Sequence, residues 1–129
     1  VYRHIVLRKG FRFLDNEDGS VQDLVDPDVD YDPQQFKREI AIYLADPYGW
    51  AQFVRFVEGR GKHIRLSSPQ TLKATCKYTG LSCAVLGGTD IWLNADRWMH
   101  GAAPSKLSLE NYRQYMVSHE MGHSLGYGM

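Results

Sequence analysis

The chain has 129 residues, 43% of which are apolar, and its 15 basic residues balance its 15 acidic residues. A chain of this length can form one domain with its own buried core. The neutral charge balance gives no reason to expect nucleic acid or a membrane surface as a partner. No apolar run approaches the roughly 20 residues that a membrane-spanning helix needs. We therefore predict a single domain over residues 1–129, with no membrane span and no nucleic-acid partner.

The first residues of the chain, 1–7, are predicted to form a strand. They do not resemble a signal peptide, because no small-residue cleavage site follows them. The chain also begins without an initiator methionine, so we expect it to be a processed or trimmed piece of a longer protein. A second short strand is predicted at residues 11–14, before a turn at residues 15–20.

An acidic stretch follows, and three of its aspartates, Asp28, Asp30 and Asp32, are spaced as in a calcium loop. However, Pro33 stands at the sixth position, where such a loop needs glycine. The better interpretation is that Asp32 caps a helix whose first residue is Pro33. Apolar residues at helical spacing extend this helix to about residue 45. They are Phe36, Ile40, Tyr43 and Leu44.

Residues 51–57 and 62–66 alternate between apolar and polar side chains, so we predict a hairpin that turns at residues 59–61. Four basic residues lie close together on this hairpin. They are Arg55, Arg60, Lys62 and Arg65. A nucleic-acid-binding patch and a solvated face are both compatible with them. The solvated face is favoured, because no aromatic residues alternate with the basic ones on the same face.

The rest of the chain is predicted to contain a loop at residues 70–88, a short strand at residues 89–94 and a connection at residues 95–105. A final helix is predicted to begin after Ser108, because serine is a good N-cap. Its core-facing residues are Leu109, Tyr112, Met116 and Val117. This order of elements favours an α+β fold with a mixed twisted sheet, a backing helix and a final helix.

The two cysteines, Cys76 and Cys83, do not have the C-x-x-C spacing of a redox or zinc pair. A loop of this size that contains a glycine can close as a disulfide, which would imply an oxidising compartment. From the residues alone, a disulfide and two free thiols are both open.

The final helix carries His119, Glu120 and His123 as the motif H-E-x-x-H. Residues four apart project from one side of a helix, so the two imidazoles can bind one tetrahedral Zn²⁺. Glu120 beside them can take a proton from a zinc-activated water. An accidental pattern is the weaker interpretation, because Gly126 also fits the longer motif H-E-x-x-H-x-x-G-x-x-H. We predict His119 and His123 as metal ligands and Glu120 as the catalytic base of an active-site helix.

Two glycines near the motif have predicted structural roles. Gly122 is expected to allow close packing of the helix against the sheet. Gly126 is expected to adopt the left-handed conformation that ends the helix and turns the chain below the metal.

From about residue 40 to residue 128 the chain resembles a domain family of unknown function that is found in secreted actinobacterial proteins and classed as metzincin-like. The matching parts are residues 44–50, Cys76 and Cys83, residues 91–98, residues 112–115 and residues 117–120. The resemblance implies a metzincin or zincin-like fold in which His119 and His123 bind zinc and Glu120 is the base. It also implies a disulfide, a secreted or extracellular location, and an edge strand from Ile91 to Asn94 that binds an extended peptide or protein substrate.

The chain departs from the family pattern at Met129, which occupies the position of the third histidine. A thioether is a soft ligand that suits copper(I) better than zinc, so Met129 is a poor zinc ligand. In the family pattern a further segment with a methionine turn follows. The domain is therefore expected to lack its C-terminal subdomain.

Three explanations for the third ligand are open. The chain is truncated or altered, another group binds the metal, or the domain is a degenerate member with weak or absent metal binding. The other groups that come into question are His4, His63, His100, Asp90 and Asp96. None is assigned, because each is individually more typical of a surface or core residue.

Two functional hypotheses follow from the motif and its departure. The first is a hydrolase, a zinc-dependent endopeptidase that cleaves peptide bonds. The second is a non-catalytic domain that keeps the zincin fold and binds peptides or proteins. The sequence indicates no oligomeric state and no substrate specificity.

Overall fold

The computed structural model of the protein describes residues 20–52, 56–58, 61–76, 82–102 and 105–127. The strands are β1 (Ser20–Val25), β2 (Val57–Glu58), β3 (Lys62–Ser67), β4 (Cys83–Ala84) and β5 (Asp90–Asn94). The helices are α1 (Pro33–Leu44), α2 (Pro69–Cys76), α3 (Ala95–His100) and α4 (Leu109–Ser124). One 3-10 turn, Trp50–Gln52, precedes β2. The strands predicted at residues 1–7 and 11–14 lie outside the described residues.

The five strands form one sheet in the order β2-β1-β3-β5-β4. Neighbouring strands run parallel from β2 to β5, and only β4 runs antiparallel to its neighbour β5. Parallel neighbours need crossover connections, and the helices supply several of them. The predicted α+β fold with a mixed sheet is confirmed at this level.

The predicted hairpin is wrong. β2 and β3 lie on opposite sides of β1, and both are parallel to it. Alternation of apolar and polar residues identifies a half-buried strand but does not identify its partner. The strand that separates the two, β1, was missing from the prediction because its sequence, SVQDLV, does not alternate regularly between apolar and polar residues. Residues 53–55 and 59–60 of the proposed hairpin lie outside the described residues.

The strand from Ile91 to Asn94 is not an edge strand, contrary to the prediction. It pairs with β3 on one side and with β4 on the other. In the part of the chain that the structure describes, the outer position next to it belongs to β4. β4 has only two residues, and so short a strand has no recognisable sequence pattern.

Two short helices, α2 and α3, replace parts of the predicted loop and connection. Each begins with a side-chain cap. The Ser68 Oγ accepts a hydrogen bond from the backbone N–H of Thr71 at 3.2 Å. The Asn94 Oδ1 accepts from Asp96 N–H at 2.9 Å. Ser68 is followed by Pro69, which is the same pair of signals that Asp32 and its proline gave for α1, and it would have identified α2.

The core lies where α1 and α4 pack together beside the sheet. Phe36 and Ile40 of α1, Leu93 of β5 and Met121 of α4 are buried in it. Trp98 of α3 is fully buried and meets the Phe36 ring edge-on at 5.2 Å. Because Met121 lies in this core, the rotation of α4 about its own axis is fixed. The direction of the side chains on the other sides of α4 is fixed with it.

Cys76 and Cys83 form a disulfide, so the alternative of two free thiols is excluded. The bond joins the end of α2 to the start of β4. A disulfide indicates a non-reducing environment. Among the described residues, none of the helices combines the length and the apolar character that crossing a membrane requires.

Candidate metal centre

Helix α4 carries the candidate site, and both of its ends are fixed as the sequence predicted. Ser108 caps the start, where its Oγ accepts a hydrogen bond from Asn111 N–H at 3.1 Å. Gly126 ends the helix with a φ of 101°. Its N–H donates to the His123 carbonyl at 2.9 Å, and Tyr127 N–H donates to the Gly122 carbonyl at 3.0 Å. These two bonds form a Schellman motif, which occupies carbonyls that a helix end otherwise leaves free.

The imidazoles of His119 and His123 project from the same side of α4, and their Nε2 atoms are 3.2 Å apart. The Nδ1 atom of His123 lies 2.9 Å from the Tyr127 carbonyl oxygen. A carbonyl only accepts hydrogen bonds, so Nδ1 carries the proton and Nε2 of a neutral His123 carries the lone pair. The Schellman turn therefore fixes the tautomer that presents Nε2 as a ligand.

The separation of the two nitrogens fits a single zinc ion. Zinc binds imidazole nitrogen at about 2.0–2.1 Å with tetrahedral angles, which places two such nitrogens about 3.3–3.4 Å apart. The observed Nε2–Nε2 distance of 3.2 Å is close to this value. Neutral imidazoles are also the right donors for this metal, so the residues present fit zinc.

Glu120 lies on the buried side of the same turn, and only 6% of its surface is exposed. Ligand atoms of His119, Glu120 and His123 all lie within 4.8 Å of one another. Burial raises the pKa of the Glu120 carboxyl, and the neighbouring His123 opposes this rise. A carboxylate in such a setting is a stronger base than an exposed one.

His119 is held between aromatic rings. Its ring stacks on Tyr115 at 5.6 Å and meets the His123 ring edge-on at 4.7 Å. Burial lowers the pKa of the His119 imidazole, and the nearby His123 lowers it further. Both causes favour the neutral form, which is the form that binds a metal.

Gly122 serves a purpose other than the predicted packing on the sheet. A Cβ at this position would come within 2.9 Å of the Trp50 ring, so glycine is needed for close contact with that tryptophan. The Trp50 Nε1–H donates to the Ser118 carbonyl at 2.8 Å, and the ring stacks on Tyr127 at 5.5 Å. Trp50 thus supports both the site helix and the turn that orients His123. The sequence signal for this contact was a glycine inside a helix, which requires a packing reason.

The turn after β4 borders the site. Gly87 N–H donates to the His123 carbonyl at 2.9 Å. Val85 and Leu86, in the same turn, are exposed apolar residues. The outer strand of the described sheet therefore leads directly to the end of α4 that carries the second histidine.

Most of the remaining candidate ligands lie away from the cluster. His63 pairs with Asp90, with 3.3 Å between Nδ1 and Oδ1, and both His100 and Asp96 are exposed. Within the described ranges, the only group of three side chains able to hold a metal is that of His119, Glu120 and His123. The other two positions, His4 and Met129, lie outside the described residues.

The interpretation of the basic residues as a solvated face is wrong for Lys62. Only 2% of its surface is exposed, and its Nζ donates to the Gly88 and Ser124 carbonyls. Arg65 is half-buried and lies 3.8 Å from the Asp90 carboxylate. Arg55 and Arg60 lie outside the described residues. A basic side chain in a strand gives no sequence signal of burial, because its partners here are distant in the chain.

Comparison with known proteins places the chain in a family without assigning an activity. No curated protein and no solved structure matches it. One family, described as a protein of unknown function (DUF3152), matches residues 20–129. That range includes every described strand and helix, together with His119, Glu120 and His123. The chain therefore belongs to the DUF3152 family of proteins of unknown function.

Proposed function

We propose that this chain is a zinc-dependent peptidase domain of metzincin type. The observation that carries the proposal is the arrangement of three side chains on α4. The Nε2 atoms of His119 and His123 are 3.2 Å apart, and Glu120 lies in the same cluster. The strand order, with four parallel strands and an antiparallel outer strand beside the site helix, is consistent with the proposed fold type.

His119 and His123 are the residues that would hold the metal. Zinc bound there would supply Lewis acidity, which polarises a peptide carbonyl and makes water a nucleophile near neutral pH. The chain's own contribution is to fix the ligands before binding. The Tyr127 carbonyl holds the His123 ring at 2.9 Å, and Tyr115 stacks on the His119 ring at 5.6 Å.

Glu120 is the residue that would move the proton. As general base it would take a proton from the attacking water and then deliver it to the leaving amine. Its burial and its raised pKa support this role, because they make the carboxylate a better proton acceptor near neutral pH. A secreted or extracellular setting is part of the proposal, and the disulfide between Cys76 and Cys83 supports it.

The proposed substrate is an extended stretch of peptide or protein that adds to the outer edge of β4. In the part of the sheet that the structure describes, this edge has no neighbouring strand. Edge strands bind extended peptides through main-chain hydrogen bonds. The disulfide at Cys83 fixes the beginning of β4, and the bond from Gly87 N–H to the His123 carbonyl fixes the turn that follows it.

A second candidate is a non-catalytic peptide-binding domain with the same fold. It is favoured by one observation, that His63 and His100 lie outside the metal-binding cluster of the described residues. The third zinc ligand is left unassigned, and Met129 remains a poor one.

The test is zinc analysis of the refolded chain, first freed of metal with a chelator and then dialysed against zinc. We expect one zinc per chain in the wild type and in Glu120→Ala, and a loss of stoichiometric zinc in His119→Ala and His123→Ala. His100→Ala is the matched control, because it removes an exposed imidazole outside the cluster. Absence of stoichiometric zinc in the wild type would contradict the proposal for this chain.

Cleavage of unfolded casein separates the two candidates. The peptidase is expected to cleave it only when zinc is bound, and Glu120→Ala is expected to abolish cleavage while keeping the metal. Cleavage by Glu120→Ala would remove Glu120 from the mechanism. Peptide binding that is unaffected by a chelator, with no cleavage by any form, would instead favour the binding domain.

A further inference from the structure

Lys62 is a buried lysine that the proposed chemistry does not use. It is the first residue of β3, and only 2% of its surface is exposed. Removing an ammonium group from water is unfavourable unless hydrogen bonds and opposite partial charges replace the water. The position of its partners therefore indicates what the burial achieves.

Two partners of Lys62 belong to different parts of the chain. Its Nζ donates to the Gly88 carbonyl at 2.9 Å and to the Ser124 carbonyl at 3.2 Å. The Ser124 Oγ donates to the same Gly88 carbonyl at 2.7 Å. One lysine thus connects β3, the turn after β4 and the last residue of α4.

The end of α4 that Lys62 contacts is the end that carries a proposed ligand. Ser124 directly follows His123, and the His123 carbonyl accepts hydrogen bonds from Gly87 N–H and Gly126 N–H, both at 2.9 Å. A cation at the C-terminal end of a helix is also favoured by the helix dipole. The ammonium group therefore lies where the helix end and the turn both present carbonyl oxygens.

Holding three elements together does not require a charge. Well-packed apolar residues in place of a whole buried ion pair are often neutral or stabilising, so packing alone does not call for a charge. A charged donor differs in that it fixes carbonyl oxygens at defined distances and directions. Lys62 is thus suited to set the position of the turn relative to α4, beyond filling space between them.

We propose that Lys62 is a positioning residue that fixes the turn at residues 85–88, and with it the outer strand β4, to the end of α4 that carries His123. Its meaning for catalysis rests on the proposed function, because a substrate held on β4 would then be held in a fixed relation to the metal ligand. The contact itself is a property of the chain and can be tested without a metal.

The test is amide hydrogen exchange, measured by NMR on the full chain under native conditions. Lys62→Met keeps an unbranched side chain of similar length and removes the charged donor. Without the bonds from Lys62, the turn and the end of α4 are expected to separate more often, since hydrogen bonds from a charged group are the stronger ones. We therefore expect the amides of Gly87 and Gly126, which both donate to the His123 carbonyl, to exchange about tenfold faster or more. Ser124→Ala, which removes only the second bond to Gly88, is expected to accelerate the same amides less.

Glu39→Gln is the matched control, because it weakens a buried contact at the other end of α4 and leaves Lys62 in place. It is expected to leave the Gly87 and Gly126 amides protected. Lys62→Arg, which keeps a positive donor, is expected to retain part of the protection. Equal exchange at Gly87 and Gly126 in Lys62→Met and in the wild type would overturn the proposal. If Lys62→Met does not fold, Lys62→Gln takes its place, because it keeps a polar side chain and removes the charge, and exchange at Gly87 and Gly126 equal to that of the wild type would then overturn the proposal.

Zinc supplies a second comparison that separates this proposal from the proposed function. In the wild type, zinc is expected to slow exchange at Gly87, since its N–H is bonded to the His123 carbonyl, and the slowing is expected to be smaller in Lys62→Met. A wild type that binds no zinc would contradict the peptidase, and the zinc-free exchange of the two proteins would still decide the role of Lys62.

Discussion

The two halves of α4 use polar side chains in different ways. In the first half, the Arg113 guanidinium donates to the Glu39 carboxylate at 2.9 Å and to the Trp98 carbonyl at 2.6 Å. Gln114, beside it, hydrogen-bonds to Asp46. In the second half, His119, Glu120 and His123 form a cluster among themselves. The polar side chains of the first half anchor the helix to other elements, whereas three of the second half lie together as a group that could hold a metal.

The contrast is clearest for two glutamates of similar burial. The Glu39 side chain is 15% exposed and is bonded to Arg113 and to the Tyr31 hydroxyl. Glu120 is 6% exposed, and among the described residues no side-chain hydrogen bond or ion pair to its carboxylate is present. Burial disfavours the ionised form of this carboxyl and raises its pKa, so Glu120 contributes less to stability as a charged group than the paired Glu39 does.

The largest expected effect is on the second half, through metal binding. Zinc that binds only the folded chain stabilises it by about 4 kcal/mol when its concentration is a thousand times Kd. We therefore expect zinc to raise the thermal midpoint of the wild type clearly and that of His123→Ala little. The measurement is thermal unfolding followed by circular dichroism with zinc and with a chelator. His100→Ala should respond to zinc as the wild type does. An equal response of His123→Ala would mean that the metal binds elsewhere.

The next largest expected effect is a loss of stability at the first half of α4. Glu39→Gln is expected to destabilise the protein by about 2–3 kcal/mol, because it leaves the Arg113 charge buried with a neutral partner. The cost stays at the lower end of the range for buried pairs since the two side chains are 14% and 15% exposed. Urea unfolding of the zinc-free protein measures it. Zinc affinity should stay unchanged, and a marked loss of affinity would show that the two halves are not independent.

The contact between Trp50 and the second half of α4 gives a smaller effect. Gly122→Ala places a methyl group within 2.9 Å of the Trp50 ring, so the ring or the helix must shift. Overpacking of this kind costs roughly 1–3 kcal/mol, and the better helix propensity of alanine offsets about 1 kcal/mol of it. We expect a net loss of up to about 2 kcal/mol in urea unfolding, together with quenched or shifted tryptophan fluorescence. A Gly122→Ala protein more stable than the wild type would show that Trp50 adjusts without strain.

The parts of this structure that were predictable from sequence are those that depend on neighbours in the chain. The caps Asp32 and Ser108, the glycine turn at Gly126 and the histidine pair on α4 all follow from spacings within one or two helical turns. The partner of each strand was not predictable, because pairing joins residues far apart in sequence. The roles of Lys62 and Trp50 were missed for the same reason.

The same distinction between near and distant residues in the chain applies to the candidate site. His119, Glu120 and His123 lie on consecutive turns of one helix, so the motif alone placed them together. The support around them is distant in the chain, since Trp50 N–H reaches the Ser118 carbonyl and Lys62 reaches the Ser124 carbonyl. Sequence reasoning therefore identified the three clustered side chains but not the distant residues that contact their helix.

The smallest expected effect has the opposite sign and tests the comparison of the two glutamates directly. Glu120→Gln replaces a carboxylate whose charge is disfavoured by burial with a neutral amide of the same shape. In the zinc-free protein we expect it to be neutral or to stabilise by about 1 kcal/mol, because the cost of burying a charge is removed. Glu39→Gln, the same substitution at the paired glutamate, is the control and is expected to destabilise. The measurement is the free energy of unfolding of both variants and the wild type, obtained by urea unfolding under the same conditions. If Glu120→Gln also destabilises, its carboxylate is bonded within the protein, and the contrast between the two glutamates does not hold.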